Sequence, residues 1–316
     1  MKTIWSKYIS FHSTQTVQKI LLNQYEKINI SNPEQKAFEN CYPFMYYLMH
    51  AKNYFYTAEK SPISVQPTLL FYGLCQLIKA SILTVDPSYP AHSNLLAHGV
   101  STRKRKKQNY LFLNDEVKIQ KHGLYGHMAH HLFQLSFIEG EKYSMKQLLK
   151  RIPEVQGLFR QSFQESTFLP VHQQNQELHI NKSYAETYFI SSNRLKQLMV
   201  EKLELSFITE DKVNLTFKAL EKSEIYWHSK LSYNLEESSI CIPSHKDQLM
   251  VFPEVLVHYL ILYNLSMISR YETEWWYDLL YSHSSVDYVF ILRFLETSLQ
   301  KVPYLFYPYF EQLILY

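Results

Sequence analysis

A chain of 316 residues that is 46% hydrophobic and 19% charged, with a formal net charge of +3, holds the apolar material for a sizeable core and lacks the broad cationic excess of a general nucleic-acid binder. Any anion it binds must therefore be gripped locally. Its three cysteines, Cys41, Cys75 and Cys241, contain no CxxC pair, which argues against a disulfide framework or a cysteine-rich zinc site and predicts a reducing, cytoplasmic setting.

Along the chain, the opening MKTIWSKYISFHSTQTV has no apolar h-region, so no secretory leader is expected. Val17, Ile20, Leu21 and Tyr25 recur at helical spacing over 14–29, with Thr14 as the expected N-cap. Pro33 suits a helix start, and Pro43 is expected to open a second helix that runs to about Lys60. The segment 64–87 is the strongest helix of the N-terminal half. Pro67 lies in its first turn, Leu70, Leu74, Leu77, Ile78 and Ile82 form its apolar stripe, and Gln76 and Lys79 take the other face. Asp86-Pro87 is expected to end it.

Residues 91–126 read as loop, with a short strand at 117–120, and helical patterns return at 127–137 and 144–150. From about 165 to 250 the period shortens. ETYFISS, LELSFITE, VNLTFKA, EIYWHSKLSY and SICIPS read as strands around one helix, NRLKQLMVEKL. Two helical regions close the chain at 253–282 and 285–300, punctuated by Pro303 and Pro308. The most apolar stretch, from Val251 to Tyr271, carries Glu254, His258, Asn264 and Arg270 and reads as a buried helix, with no membrane span expected. The expected fold is α+β, mainly α. A helical core is formed by the N- and C-terminal regions, 1–160 and 251–316, with a β-containing lobe inserted at 161–250.

Motifs of known chemistry are few. Six glycines, none after Gly157, include no GxGxxG and no GxxxxGK[ST], so the loops that bring backbone close to phosphate are missing. There is no GxSxG and no HExxH. Neither a catalytic residue nor a cofactor is assigned. Arg103, Lys104, Arg105, Lys106 and Lys107 form an unbroken cationic run. It reads as a solvated loop, as a grip for a phosphate-bearing ligand or RNA, or as a dock for an acidic protein face. His127 stands one turn from His131 and close to one turn from His130, a spacing at which imidazoles share a metal, but no acidic ligand follows at a recognised interval and no metal is assigned. Arg270, on an apolar helix with Tyr271 and Trp275, must find a carboxylate, carbonyls or an anion. Glu272, Glu274 and Asp278 are its candidate partners. His98 precedes Gly99, a residue suited to turning the chain after a helix, and either caps or contacts the core, or serves as a binding or catalytic histidine.

The stretch LLFYGLCQLIKASILTVDPSYPAHSNLLAHGVSTRKRKKQNY, joined by LILYNLSMISRYETEWW, resembles the YaaC-like family over essentially the whole chain. Members of that family tend to lie beside purine-nucleotide biosynthesis genes. The resemblance therefore implies a nucleotide-pathway partner such as an IMP dehydrogenase. At fold level, the helix–HG–helix arrangement with its later Arg-Tyr-x-x-x-Trp helix also resembles HEPN-like proteins. HEPN nucleases carry an Arg followed four to six residues on by a His, a spacing absent here. The expected function is a cytosolic, non-catalytic interaction or regulatory protein linked to purine-nucleotide metabolism. The alternative is a HEPN-like nucleic-acid-processing or nucleotide-binding enzyme.

Overall fold

The computed structural model describes residues 2–102, 110–283 and 285–315, so the cationic run 103–107 lies outside the described residues. Helices carry most of the chain, and among the described residues the strands form two antiparallel sheets. This is the expected α+β, mainly α class. The chain divides into two compact units, Met1–Met145 with His258–Tyr316, and Lys146–Val257. The segment 161–250, expected as the β-containing insertion, lies inside the second.

The first unit begins with α1 (Lys2–Lys7), α2 (Thr14–Lys27), α3 (Pro33–Lys60) and α4 (Gln66–Leu83). The N-cap of α2 is Ser13 rather than Thr14, because it is the Ser13 hydroxyl that accepts the Thr16 amide, at 3.2 Å. Pro43 does not open a second helix; α3 runs through it unbroken. The buried stripe Ala37, Cys41, Phe44, Leu48, Ala51, Phe55 and Ala58 keeps one phase on both sides of the proline. A helix-interior proline costs about 3 kcal/mol, while each large side chain buried on this face contributes roughly 1.5–3 kcal/mol. Burial of the continuous face therefore wins. Helix α2 packs on α3 and α3 packs on α4, which it meets closely at Gly73. A Cβ there would stand 2.9 Å from the Phe55 ring.

Helix α4 is buried on most of its circumference, with Thr68, Leu69, Tyr72, Gln76 and Lys79 only half-buried along one strip. It ends at Leu83, before Asp86-Pro87, where the Ser81 and Ile82 carbonyls take the Thr84 and Val85 amides. Beyond it, β1 (Val100–Thr102), β2 (Glu116–Ile119) and, after α5 (Leu124–Phe133), β3 (Lys142–Ser144) form a sheet in the order β1-β2-β3. Val100 faces Ile119 and Val117 faces Tyr143.

The second unit follows with α6 (Met145–Leu149), α7 (Gln156–Phe163), β4 (Phe168–Gln174), β5 (Glu177–Asn181), α8 (Tyr184–Thr187), α9 (Ser192–Leu203), β6 (Phe207–Glu210), β7 (Asn214–Lys218), α10 (Lys222–Tyr226), β8 (Ser232–Asn234) and β9 (Ser239–Pro243). Its sheet runs β6-β7-β5-β4-β9-β8. Leu178 and Ile180 pair with Phe217 and Leu215, and these inward residues meet Leu195, Leu198 and Met199 of α9 in one buried cluster. Two expected strands begin as helix instead, the second of them reaching strand β8 only at Ser232. At ETYFISS, the Asn181 side chain accepts the Ser183 amide and the Lys182 carbonyl accepts that of Ala185, which starts a turn of helix. At EIYWHSKLSY, Glu221 and Glu224 form a reciprocal capping box that opens α10.

The chain returns to the first unit along α11 (Glu254–Tyr271), then α12 (Thr273–Ser282) and α13 (Val286–Leu315). The expected 253–282 helix is broken at Glu272, whose φ of −116° and ψ of +49° leave the helical region. Pro303 and Pro308 lie inside α13 rather than ending it. The two terminal regions close one helical core. Thr68 bonds Ser269 at 3.1 Å, Trp276 Nε1 donates to the Ser64 carbonyl at 2.9 Å, and Tyr8 donates to the Pro303 carbonyl at 2.8 Å. No helix among the described residues is long and apolar enough to cross a membrane.

Candidate anion-binding face

The half-buried strip of α4 is where the polar groups of the first unit gather. Tyr72, Gln76 and Lys79 are spaced by four and three residues and so share one side of the helix. Across α3, Tyr46, Tyr47, Met49, His50 and Asn53 complete, with Gln76 and Lys79, a shallow groove of about 470 Å³ that is open to solvent and does not reach His98 or Arg270. Lys79 Nζ lies 5.8 Å from the Tyr47 ring centroid. His50 packs on Tyr54 at 4.5 Å, and Tyr54 stacks on Tyr72 at 6.0 Å, which carries an aromatic surface along the helix pair.

Further along that strip the fold brings together two residues that are far apart in sequence, His98 and Arg270. His98 is placed by a backbone crossing. Gly99 has φ +76° and Gly123 φ +127°, and a Cβ on Gly123 would meet the Gly99 nitrogen at 2.3 Å, so glycine is required there. The His98 carbonyl accepts the Tyr125 amide at 3.2 Å and the Tyr259 hydroxyl at 2.8 Å. Its ring then rests among Phe71, Tyr72 and Tyr263, with centroids 4.9, 6.2 and 5.6 Å away. Burial, then the charges of Arg270 and Lys79, hold its pKa below the usual histidine value. His98 is thus a neutral imidazole beside two cations.

Arg270 does not find the carboxylate expected of it. Its Nε donates to the Ser266 carbonyl at 2.9 Å, Nη2 meets the Met267 sulfur at 3.4 Å, and Nη1 stands 3.5 Å from the Tyr72 hydroxyl, too far to be held firmly. The guanidinium lies 5.9 and 5.2 Å from the Tyr72 and Tyr271 centroids. Its described partners are a carbonyl, a thioether and two rings, not Glu272, Glu274 or Asp278, because Arg270 turns back along α11 while those acids follow the break at Glu272. Cation–π contact is weak at exposed sites, about 0.5–1 kcal/mol, and leaves guanidinium N–H groups able to take an anion.

Trp275 stands apart from Arg270. It packs edge-on to Tyr110 at 4.6 Å, and Tyr110 donates to buried Asp115, which also accepts from Asn264. Trp276, one residue on, is the fully buried anchor. Of the residues singled out by sequence, His98, Arg270 and Tyr271 gather at the face. Tyr72, Gln76, Lys79 and His50 join them, and their only signal was the polar side of α4 and the aromatic run of α3. Asp86, read only as a helix stop, lies 3.0 Å from His127 Nε2. Cys75 lies beneath the face, and burial pushes its thiol up to about 12, so it carries no thiolate there.

The fold and face together define a two-unit, mainly helical protein with an aromatic groove that holds Lys79, and with Arg270 and His98 further along the same helix. It belongs to the YaaC-like protein family, whose family model matches residues 9–310. No curated protein and no solved structure matches the chain.

Proposed function

We propose that this chain is a non-catalytic interaction or regulatory protein of the cytosol that receives a phosphate-bearing ligand on the α4 face, a purine nucleotide being the first ligand to test. The observation that carries this reading is Arg270: a half-buried guanidinium laid on two tyrosine rings, with Lys79 on the same strip and no carboxylate among its described partners. Planar rings suit a base, and the two cations suit a phosphate. The gene neighbourhood implied by the family resemblance favours purines, and it is the ground for expecting a nucleotide-pathway enzyme, such as an IMP dehydrogenase, as protein partner.

The test is calorimetric titration of the full chain with purine mononucleotides and with the matching nucleosides. Nucleotides bind, nucleosides bind at least tenfold more weakly, no product forms, and Arg270→Met removes the difference. Absence of nucleotide binding at millimolar concentration overturns the reading. A second reading, the HEPN-like nuclease, rests on His98 and Arg270 both packing on Tyr72, although the Arg-to-His spacing of those enzymes is absent from the sequence. Cleavage of total RNA by the wild type and not by His98→Ala would replace the first reading with this one.

A further inference from the structure

Asp86, His127 and His131 form a polar cluster separate from the α4 face. Asp86 lies just beyond the end of α4, and His127 and His131 stand one turn apart on α5. Asp86 Oδ2 is 3.0 Å from His127 Nε2, and the two imidazole centroids are 4.2 Å apart. One donor atom from each of the three residues lies within 4.8 Å of the other two. A tetrahedral ion with bonds of roughly 2.0–2.2 Å holds its ligands roughly 3.3–3.6 Å apart, so rotation of the three side chains closes the set. The carboxylate is steadied from behind, because its Oδ1 accepts the Ser88 amide at 3.1 Å and Oδ2 stays directed at the imidazoles. Tyr89 lies against the His127 ring at 5.4 Å and walls one side. The Asp86 and His127 side chains are only 18% and 12% exposed, whereas His131 is exposed. An ion would enter from the His131 side, and water would complete its shell.

We infer that Asp86, His127 and His131 bind one divalent transition-metal ion of the zinc class through two imidazole nitrogens and one carboxylate oxygen. Mg²⁺ and Ca²⁺ prefer shells made wholly of oxygen, whereas imidazole suits Zn²⁺, Co²⁺ and Ni²⁺. An Asp–His ion pair alone accounts for the Asp86–His127 contact, but it does not account for a second imidazole, one turn away, with a nitrogen within 4.8 Å of both. The bound ion would add a clip between the segment after α4 and α5, which pack together but whose ligands Asp86 and His127 lie 41 residues apart in sequence. Such a clip gains most when the loop it closes is long.

The experiment uses the untagged full chain, stripped with a chelator and titrated with Zn²⁺, with Co²⁺ absorption as a second readout. One equivalent of Zn²⁺ is taken up, Co²⁺ gives the visible bands of a tetrahedral site, and excess Mg²⁺ does not compete. His131→Ala loses the stoichiometric uptake. His130→Ala, which removes the exposed neighbour outside the cluster, binds as the wild type does. Asp86→Asn, which keeps the side chain's size, repeats the loss should His131→Ala fail to fold. The inference is overturned if no single equivalent is taken up, or if His130→Ala weakens binding as much as His131→Ala does, since the uptake is then that of surface imidazoles in general.

Discussion

His98 shows how a residue's chemistry is set by where the backbone carries it. The Gly99–Gly123 crossing and the Tyr259 hydroxyl fix its main chain, and burial beside Arg270 and Lys79 lowers the pKa of its ring. The unfolded chain therefore binds the proton more readily than the folded one. This contribution to stability is complete above the unfolded value near 6.5 and is lost as pH falls through 6.5 toward the depressed folded value. His98→Gln, which cannot titrate, is expected to lose less stability than the wild type between pH 7.5 and 5.5, as measured by urea unfolding at both pH values. His131 and His228 shift in the same direction but occur in both proteins and cancel in the difference. An equal loss in the two proteins would show that His98 titrates normally. That His98 and Arg270 were worth attention was legible in the sequence, because each is a polar group set against apolar neighbours. Their meeting was not legible, because it depends on a contact across more than half the chain. Asp86 illustrates the same limit, since its approach to His127 is made by the fold and not by any sequence interval.

At the scale of elements, periodicity was legible wherever one face is buried. The stripe of α4 and the helix α9 follow directly from it, whereas β7 and β9 alternate in sequence but are buried at three or four successive residues. Local punctuation misled where tertiary packing outweighs it. Pro43, Pro303 and Pro308 read as boundaries, yet each sits inside a helix whose buried face continues past it. The capping box of Glu221 and Glu224 was present in the sequence, but the β-branched and aromatic residues that follow masked it. The cost of a proline overridden by packing is measurable. Pro43→Ala restores an amide able to donate to the Glu39 carbonyl and removes a penalty of about 3 kcal/mol. It also returns backbone freedom to the unfolded chain, worth about 1 kcal/mol. The expected net effect is stabilisation by about 2 kcal/mol, read as a rise in the urea midpoint at unchanged slope. A fall in the midpoint would mean that the half-buried pyrrolidine ring itself packs better than alanine.

At the scale of the molecule, one unit is continuous in sequence and the other is not. Lys146–Val257 contains its own six-stranded sheet and its own buried cluster, built on Leu178, Ile180, Leu195, Met199, Leu215 and Phe217. Met1–Met145 and His258–Tyr316 share one core, held by such pairs as Tyr8 with Pro303, Ser64 with Trp276 and Thr68 with Ser269. The change of period near 165 was legible, whereas the division at 145/146 was not, because α6 and α7 precede the first strand of the second unit and keep the helical pattern running across it. A segment of about 110 residues with a closed core of this kind is large enough to fold alone. The excised 146–257 segment should therefore melt cooperatively, with dispersed amide resonances and no dye-binding exposed core. The 1–145 segment lacks α11 and α13 against α4 and should stay molten, gaining cooperative structure only when 258–316 is supplied in trans or by fusion across the excised insertion. If 146–257 is molten while 1–145 folds by itself, the cores are divided differently along the chain, and α11, which crosses the boundary at Val257, is the element to re-examine first.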